Sequence, residues 1–254
     1  MFGTPSLNNM KSLLNDDTAQ YLDKIDYTST WGVAHHMRFL MFANYIVTNN
    51  VKTVLDVGFG QNMLVRYLKD AGFAGTYVGI DMNSQYVKLA KEWQRIDPAS
   101  FEIQYKEGDV STVEGELYDC VVLGEVIEHI DKNKAELFMR QCKELLTGQG
   151  TILLSTPNKI AGKLNWPEDH VDEFEYEELV ETCMMAGFDV LASYGLWNNT
   201  ERTLNMLSTQ DKMKYEKYAT IVPKSLLNVF FCLQNPARSR AVLLVLGHNL
   251  IQPS

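Results

Sequence analysis

The spacing of apolar residues along this chain changes period repeatedly, and each change marks an element. Residues 9–25 set Leu13, Leu14, Tyr21, Leu22 and Ile25 in one stripe of a polar stretch, which predicts an amphipathic helix. After a break over 26–32, a second helix is expected from Ala34 to Asn49, with His35, His36, Arg38 and Phe39 near its start. From Lys52 to Ser155, short runs rich in β-branched residues alternate with helical patterns. Strands are predicted near 53–57, 76–80, 101–105, 119–123 and 150–155, with helices between them. That rhythm specifies an α/β fold with a doubly wound parallel sheet. The run after Asp119 is apolar through Leu123, as in a strand buried on both faces. A loop over 156–172 holds Pro157 and Pro167. A helix over 176–186, stopped by Gly187, leads to a sixth strand over 189–194. Residues 198–237 read as largely helical, and SRAVLLVLG (239–247) is the best remaining strand.

The first strand runs into VLDVGFGQN (54–62), and Asp81 closes the second, in YVGID. Glycines at 58 and 60 let backbone N–H groups approach a ligand where a Cβ would clash. An acid ending the second strand of such a βαβ unit is placed to accept hydrogen bonds from a ribose diol. The dinucleotide fingerprint G-x-G-x-x-G fails here, because Met63 stands where the third glycine would be. Asp56 would oppose a pyrophosphate and suits a ligand that carries an ammonium group. S-adenosylmethionine has an ammonium, a sulfonium and a ribose, and no phosphate.

These segments, with EGDV (107–110), LYDCVVLGEVIEHI (117–130) and LLTGQGTILLSTPN (145–158), resemble the class I S-adenosylmethionine-dependent methyltransferases over residues 50–195. The resemblance implies a Rossmann-like, seven-stranded, mostly parallel sheet with helices on both faces and an antiparallel last strand. It implies a cofactor site of Asp56, Gly58, Gly60, Asp81, Met82, Asp109, Val110, Gly124 and Glu125. In it the glycine turn lies against the methionine part, Asp81 holds the ribose, and Asp109 and the Val110 N–H meet the adenine. Gly124 and Glu125 sit beside the methyl group. The chain departs from the family at Asn62, usually a third glycine; Asn tolerates left-handed backbone better than most residues. The implied organisation is a helical cap (1–50), a core (51–197), an insertion that helps build the acceptor pocket (198–237), and a last strand and tail (238–254).

Methyl transfer asks the protein to align an acceptor, exclude water and remove a proton. If the chain turns helical after Glu125, then Glu125, Glu128 and His129 share one face. In one reading Glu125 lies near the cofactor and His129 supports a loop. In another the three hold Mg²⁺, Mn²⁺ or Zn²⁺, and in a third His129 is a metal-free base. The ubiquinone-pathway O-methyltransferases and the enzymes that 2′-O-methylate small-RNA ends resemble this stretch and use metals. In the RNA-end enzymes a ligand histidine stands where this chain has Asp172. His170 is a further candidate base or a loop contact. His35, His36, Trp31, Trp166 and Trp197 are candidates for lining the cleft or simply for packing.

Composition narrows the acceptor. The chain has 254 residues, a net charge of −9 and a pI near 5.1. With no basic run, a nucleic-acid partner is not favoured. Cys120, Cys142, Cys183 and Cys232 are far apart and read as reduced, buried thiols. No secretory h-region and no membrane span are seen, which points to a cytoplasmic protein. The expected activity is methylation of a small-molecule hydroxyl. The alternatives are N-methylation of a small amine, methylation of a nucleic-acid end, a non-catalytic S-adenosylmethionine-binding protein, and a nucleotide-dependent oxidoreductase. No feature specifies an oligomeric state.

Overall fold

The computed structural model describes residues 28–159 and 170–248; the helix expected over 9–25, Trp166 and most of the 156–172 loop lie outside them. Seven strands form one sheet in the order β3-β2-β1-β4-β5-β7-β6. They are β1 (Thr53–Val57), β2 (Thr76–Asp81), β3 (Glu102–Glu107), β4 (Tyr118–Gly124), β5 (Leu146–Pro157), β6 (Phe188–Trp197) and β7 (Ala241–His248). The first five run parallel, and β7 lies antiparallel between β5 and β6. This is the sheet the sequence led us to expect, antiparallel last strand included.

Alternation along the strands divides the core. Val54, Cys120, Val122, Leu153 and Leu243 face one side of the sheet, which α1 (Thr30–Thr48), α2 (Met63–Asp70) and α3 (Ser84–Ile96) cover. Leu55, Val121, Leu123, Leu154 and Leu244 face the other, beneath α4 (Lys132–Glu144) and α5 (Tyr176–Met185). Both faces are covered, so the inner strands β4 and β7 are apolar along nearly their whole length, as in buried parallel sheets, whereas the edge strand β3 (EIQYKE) is half polar.

Helix α1 starts earlier than the apolar pattern indicated. Ser29 is its N-cap, and its Oγ accepts from the Gly32 N–H at 3.2 Å, so the stretch read as a break already contains the first turn. The insertion forms α6 (Thr200–Met206), α7 (Thr209–Tyr218) and α8 (Lys224–Cys232). These helices share a small apolar cluster of Met206, Leu207, Tyr215, Leu227 and Cys232. Val229 of α8 packs against Val33 and Ala34 of α1.

The insertion and β6 meet at Gly195. A Cβ there would lie 2.1 Å from Ser239 Oγ and 2.4 Å from the Cys232 carbonyl oxygen. Because a backbone carbonyl is one of the obstacles, rotamer changes cannot relieve the overlap. Gly195→Ala is expected to destabilise the protein by about 1–3 kcal/mol, read as a lower urea midpoint with an unchanged slope.

Candidate active site

The sheet order reverses between β1 and β4, and ligands of open α/β sheets bind outside the carboxyl ends of the strands at such a switch point. Gly58 follows β1 and Gly124 ends β4 there, where Val57 and Leu123 pair. The backbone after β1 is left-handed at Gly58 (φ +66°), Gly60 (φ +50°) and Asn62 (φ +60°). A Cβ on Gly58 would approach Val126 Cγ2 to 3.0 Å, so close packing as well as φ selects glycine. Asn62 takes the left-handed place of the family's third glycine. Its Nδ2 donates to the Tyr105 hydroxyl at 2.7 Å, which ties the turn to β3.

Asp81 is oriented by two backbone donors: Gly60 N–H to Oδ2 at 2.9 Å and Asn83 N–H to Oδ1 at 2.8 Å. Each oxygen keeps a lone pair for a further hydroxyl. Beside it the Met82 side chain is 76% exposed, a large apolar surface left uncovered at the rim. Asp109 caps a short 3₁₀ turn, accepting from Ser111 N–H at 2.9 Å, and Val110 is buried.

Asp56 departs from expectation. It points with Val54 into the sheet face that α1 covers and is not among the residues lining the cleft. The Tyr77 hydroxyl donates to its Oδ2 at 2.7 Å, and burial pushes its pKa up to about 7 against that bond. It therefore ties β1 to β2 beneath the turn and does not face the cleft.

The cleft has a volume of about 510 Å³. Its floor is Gly58, Phe59, Gly60, Gln61 and Met63, with Gly124 and Glu125 at the end of β4; its walls are α1 and the end of β6. Trp31, His35 and Phe39 supply one aromatic wall, with Trp31 stacked on His35 at 5.2 Å and His35 edge-on to Phe39 at 5.2 Å. Burial, then the charge of Arg38, drives the His35 pKa down to about 3, so its ring stays neutral. Leu196, Trp197 and Ala241 face that wall.

In the sequence Arg38 stands out only as a neighbour of two histidines. It is the cation of the cleft. Its Nη1 pairs with Glu125 Oε1 at 2.7 Å, its Nη2 lies 3.1 Å from His35 Nδ1, and its Nε is sealed from solvent with no acceptor. Glu125 is held in left-handed backbone (φ +60°), a conformation a non-glycine residue keeps only when its surroundings over-determine it. The Ser155 carbonyl takes its N–H at 2.9 Å and the Ser155 hydroxyl donates to Oε1 at 3.0 Å.

The turn at Glu125 separates it from the other two residues expected to share its face. The 3₁₀ turn Ile127–His129 instead brings Glu128 and His129 to His170, with ligand atoms of the three within 4.8 Å of one another. Glu125 is thus not part of the metal-competent group; His170 takes that place. Glu128 is fully buried, and burial and the Glu125 charge raise its pKa above the usual carboxylate range. Thr156 Oγ1 donates to its Oε2 at 2.9 Å, and its Oε1 has no partner. His170 Nδ1 lies 3.2 Å from Glu173 Oε1, the carboxylate–imidazole contact that orients a histidine ligand or base. Asp172, which stands where the RNA-end enzymes carry a histidine, accepts from the Lys132 N–H at 3.2 Å and so caps α4.

Residues 55–154 match a family model described as a methyltransferase domain. The mitochondrial ubiquinone biosynthesis O-methyltransferase of Rattus norvegicus is 33% identical over 110 residues, covering 42% of this chain and 31% of that protein. The ubiquinone biosynthesis O-methyltransferase of Haemophilus ducreyi is 32% identical over 127 residues, covering 46% of this chain and 51% of that protein. The matches thus span about a third to a half of the length of these curated relatives. Among solved structures, magnesium protoporphyrin IX methyltransferase from Synechocystis with bound S-adenosylhomocysteine superposes with a TM-score of 0.61 at 15% identity, covering 96% of this chain and 100% of that one. The [4+2]-cyclase SpnF does so with a TM-score of 0.64 at 15% identity, covering 98% and 99%. The fold is that of the class I methyltransferases. Within it, residues 55–154 carry the match to a methyltransferase domain.

Asp56 gives this site a pH signature. Its pKa rises from 3.8 to about 7 on folding, so folding favours its protonated form. Its contribution is greatest below pH 4 and is lost as the pH climbs through the window from about 4 to 7, by on the order of 2–4 kcal/mol. Asp56→Asn keeps an acceptor for Tyr77 and cannot ionise. Urea unfolding of the variant is expected to lose that slope and to show a higher stability than the parent at pH 8.

Proposed function

We propose that this domain transfers a methyl group from S-adenosylmethionine to a hydroxyl of a small aromatic molecule. The observation that carries the reading is the bond from Gly60 to Asp81, by which the glycine turn itself aims the carboxylate at the place of a ribose. The residues around the cleft suit that cofactor as well. Asp81 accepts from the ribose hydroxyls, the exposed Met82 side chain packs beneath the adenine beside Asp109 and Val110, and the Arg38 guanidinium in the cleft wall attracts the carboxylate of the methionine part. Bound there, the cofactor supplies an electrophilic methyl carbon on a sulfonium. The chain's own part is to hold, desolvate and deprotonate.

The aromatic, neutral wall of Trp31, His35 and Phe39, facing Leu196 and Trp197, favours packing of an aromatic acceptor. The curated relatives are named as O-methyltransferases of ubiquinone biosynthesis, which supports a hydroxyl. The net charge of −9 argues against a phosphate backbone as partner. Among the described residues no helix is long and apolar enough to cross a membrane. Four buried, unpaired cysteines suit a reducing compartment, and we propose the cytoplasm. The proposed bases are His170, oriented by Glu173, and the neighbouring His129, which stand outside the cleft lining beyond Glu125; Glu125, held by Arg38 and Ser155, orders the edge of the cleft near the methyl group.

Titration calorimetry with S-adenosylhomocysteine and with NAD tests the cofactor assignment. Only the first is expected to bind. Asp81→Ala, which removes charge-assisted bonds of roughly 1.5–3 kcal/mol each, is expected to weaken it by at least about ten-fold. Equal affinity in parent and variant would overturn the assignment, and mass spectrometry of phenol and amine acceptors after turnover separates O- from N-methylation.

A second reading concerns the hydroxyl's proton. Glu128, His129 and His170 form a mixed carboxylate–imidazole group with one buried, unpartnered oxygen, a donor set that fits a divalent cation. A metal there would lower the pKa of an acceptor hydroxyl. With a metal, turnover is expected to vanish in EDTA and to return with Mg²⁺, Mn²⁺ or Zn²⁺, and His170→Ala to abolish the rescue. Full activity in EDTA leaves the histidines as simple bases.

A further inference from the structure

No residue of the insertion after β6 lines the cleft, yet the insertion holds one wall of it. Asn228, in the middle of α8, is 1% exposed in an otherwise apolar contact with α1. Its Oδ1 accepts from the Tyr215 hydroxyl of α7 at 2.8 Å. Its Nδ2 donates to Thr30 Oγ1, at the first residue of α1, at 2.9 Å, and to Thr200 Oγ1, at the first residue of α6, at 3.1 Å. One amide therefore joins three helices of the insertion to the start of the helix that carries Trp31, His35 and Arg38.

We infer that Asn228 is a positioning residue: by fixing the start of α1 it sets the rotation at which Trp31, His35 and Arg38 meet the cleft, so the insertion governs the site without touching a ligand. The far half of α1 is already anchored, because Phe42, Ala43 and Ile46 are fully buried against the sheet. Arg38 lies between the two anchors. The apolar contacts of Val33, Ala34 and Val229 are non-directional and tolerate rotation and slippage of α1 on α8. A buried amide does not. Any register other than the one observed leaves its N–H bonds unmade, at the cost of an unsatisfied buried donor. Polar groups in apolar helix contacts fix register in this way.

Two isosteric variants test this. Thr30→Val and Thr200→Val each remove one acceptor from Asn228, but only Thr30 belongs to α1. Similar losses of thermal stability are expected in both. Amide hydrogen exchange over residues 33–38 is expected to quicken in Thr30→Val and to stay near the parent rate in Thr200→Val. The dissociation constant of S-adenosylhomocysteine, and the KM for S-adenosylmethionine, are expected to rise about five-fold in Thr30→Val only, with kcat at saturation little changed. Equal exchange rates and equal affinities in the two variants would overturn the inference. The affinity arm rests on the cofactor reading proposed above; the exchange arm does not. A parent protein that fails to bind the ligand, combined with quickened exchange in Thr30→Val alone, would sink the cofactor reading and leave the anchoring intact.

Discussion

A guanidinium taken almost wholly out of water needs an anion, and in this protein the anion stands on the other side of the cleft. The pair of Arg38 and Glu125 joins α1 to the end of the fourth strand. Removing one partner of such a pair strands the other, typically at several kcal/mol. Much of the site's geometry answers to this contact. Glu125 can remain left-handed because its carboxylate is claimed from two directions, by Arg38 and by Ser155. Its negative charge in turn discourages ionisation of Glu128 behind it, and the Arg38 charge helps keep His35 neutral. The cleft thereby acquires an uncharged aromatic wall, one oriented carboxylate and one guanidinium.

The parts legible in the sequence were those set by local rules. The glycine turn, the acid at the end of β2 and the left-handed tolerance of Asn62 are consequences of short-range sterics, and the structure has all three. Alternation and run length likewise gave the strands, because a sheet covered on both faces admits little else. What stayed hidden depends on contacts between distant segments. Nothing near Arg38 in the chain signals Glu125. Nothing near Asp56 signals the Tyr77 hydroxyl that turns it from a ligand-facing charge into a buried support. The metal-competent trio was read as one helical face from spacing alone. The chain turns sharply at Glu125 instead, and a histidine from beyond β5 completes the group. The early start of α1 rests on a single capping residue, Ser29, which the apolar pattern does not register.

The fold explains why such long-range contacts gather at one place. Strand ends at a switch point offer exposed backbone groups and a gap that no crossover helix fills. Residues brought there by β1, β4, β5 and α1 need only be correct at their own strand or helix ends. This fold also houses a protein named for a [4+2] cyclisation, so the architecture is permissive and the chemistry belongs to the side chains at the rim.

The place of β7 has a consequence for how the chain reaches this state. Strand β6 hydrogen-bonds within the sheet to β7 alone, and β5 meets β7 along its outer edge. During synthesis the strands up to β5 can assemble as soon as they emerge, since each pairs with a neighbour already made. Strand β6 cannot: its partner arrives only after the three insertion helices have been translated. Until residues 241–248 are available, β5 presents a bare edge and β6 has no lateral support. The wall of the cleft that contains Leu196, Trp197 and Ala241 is then missing. Completion of the pocket is tied to β7, and a chain that has not yet made this strand carries β5 and β6 with unpaired edges, the kind of surface on which β proteins aggregate.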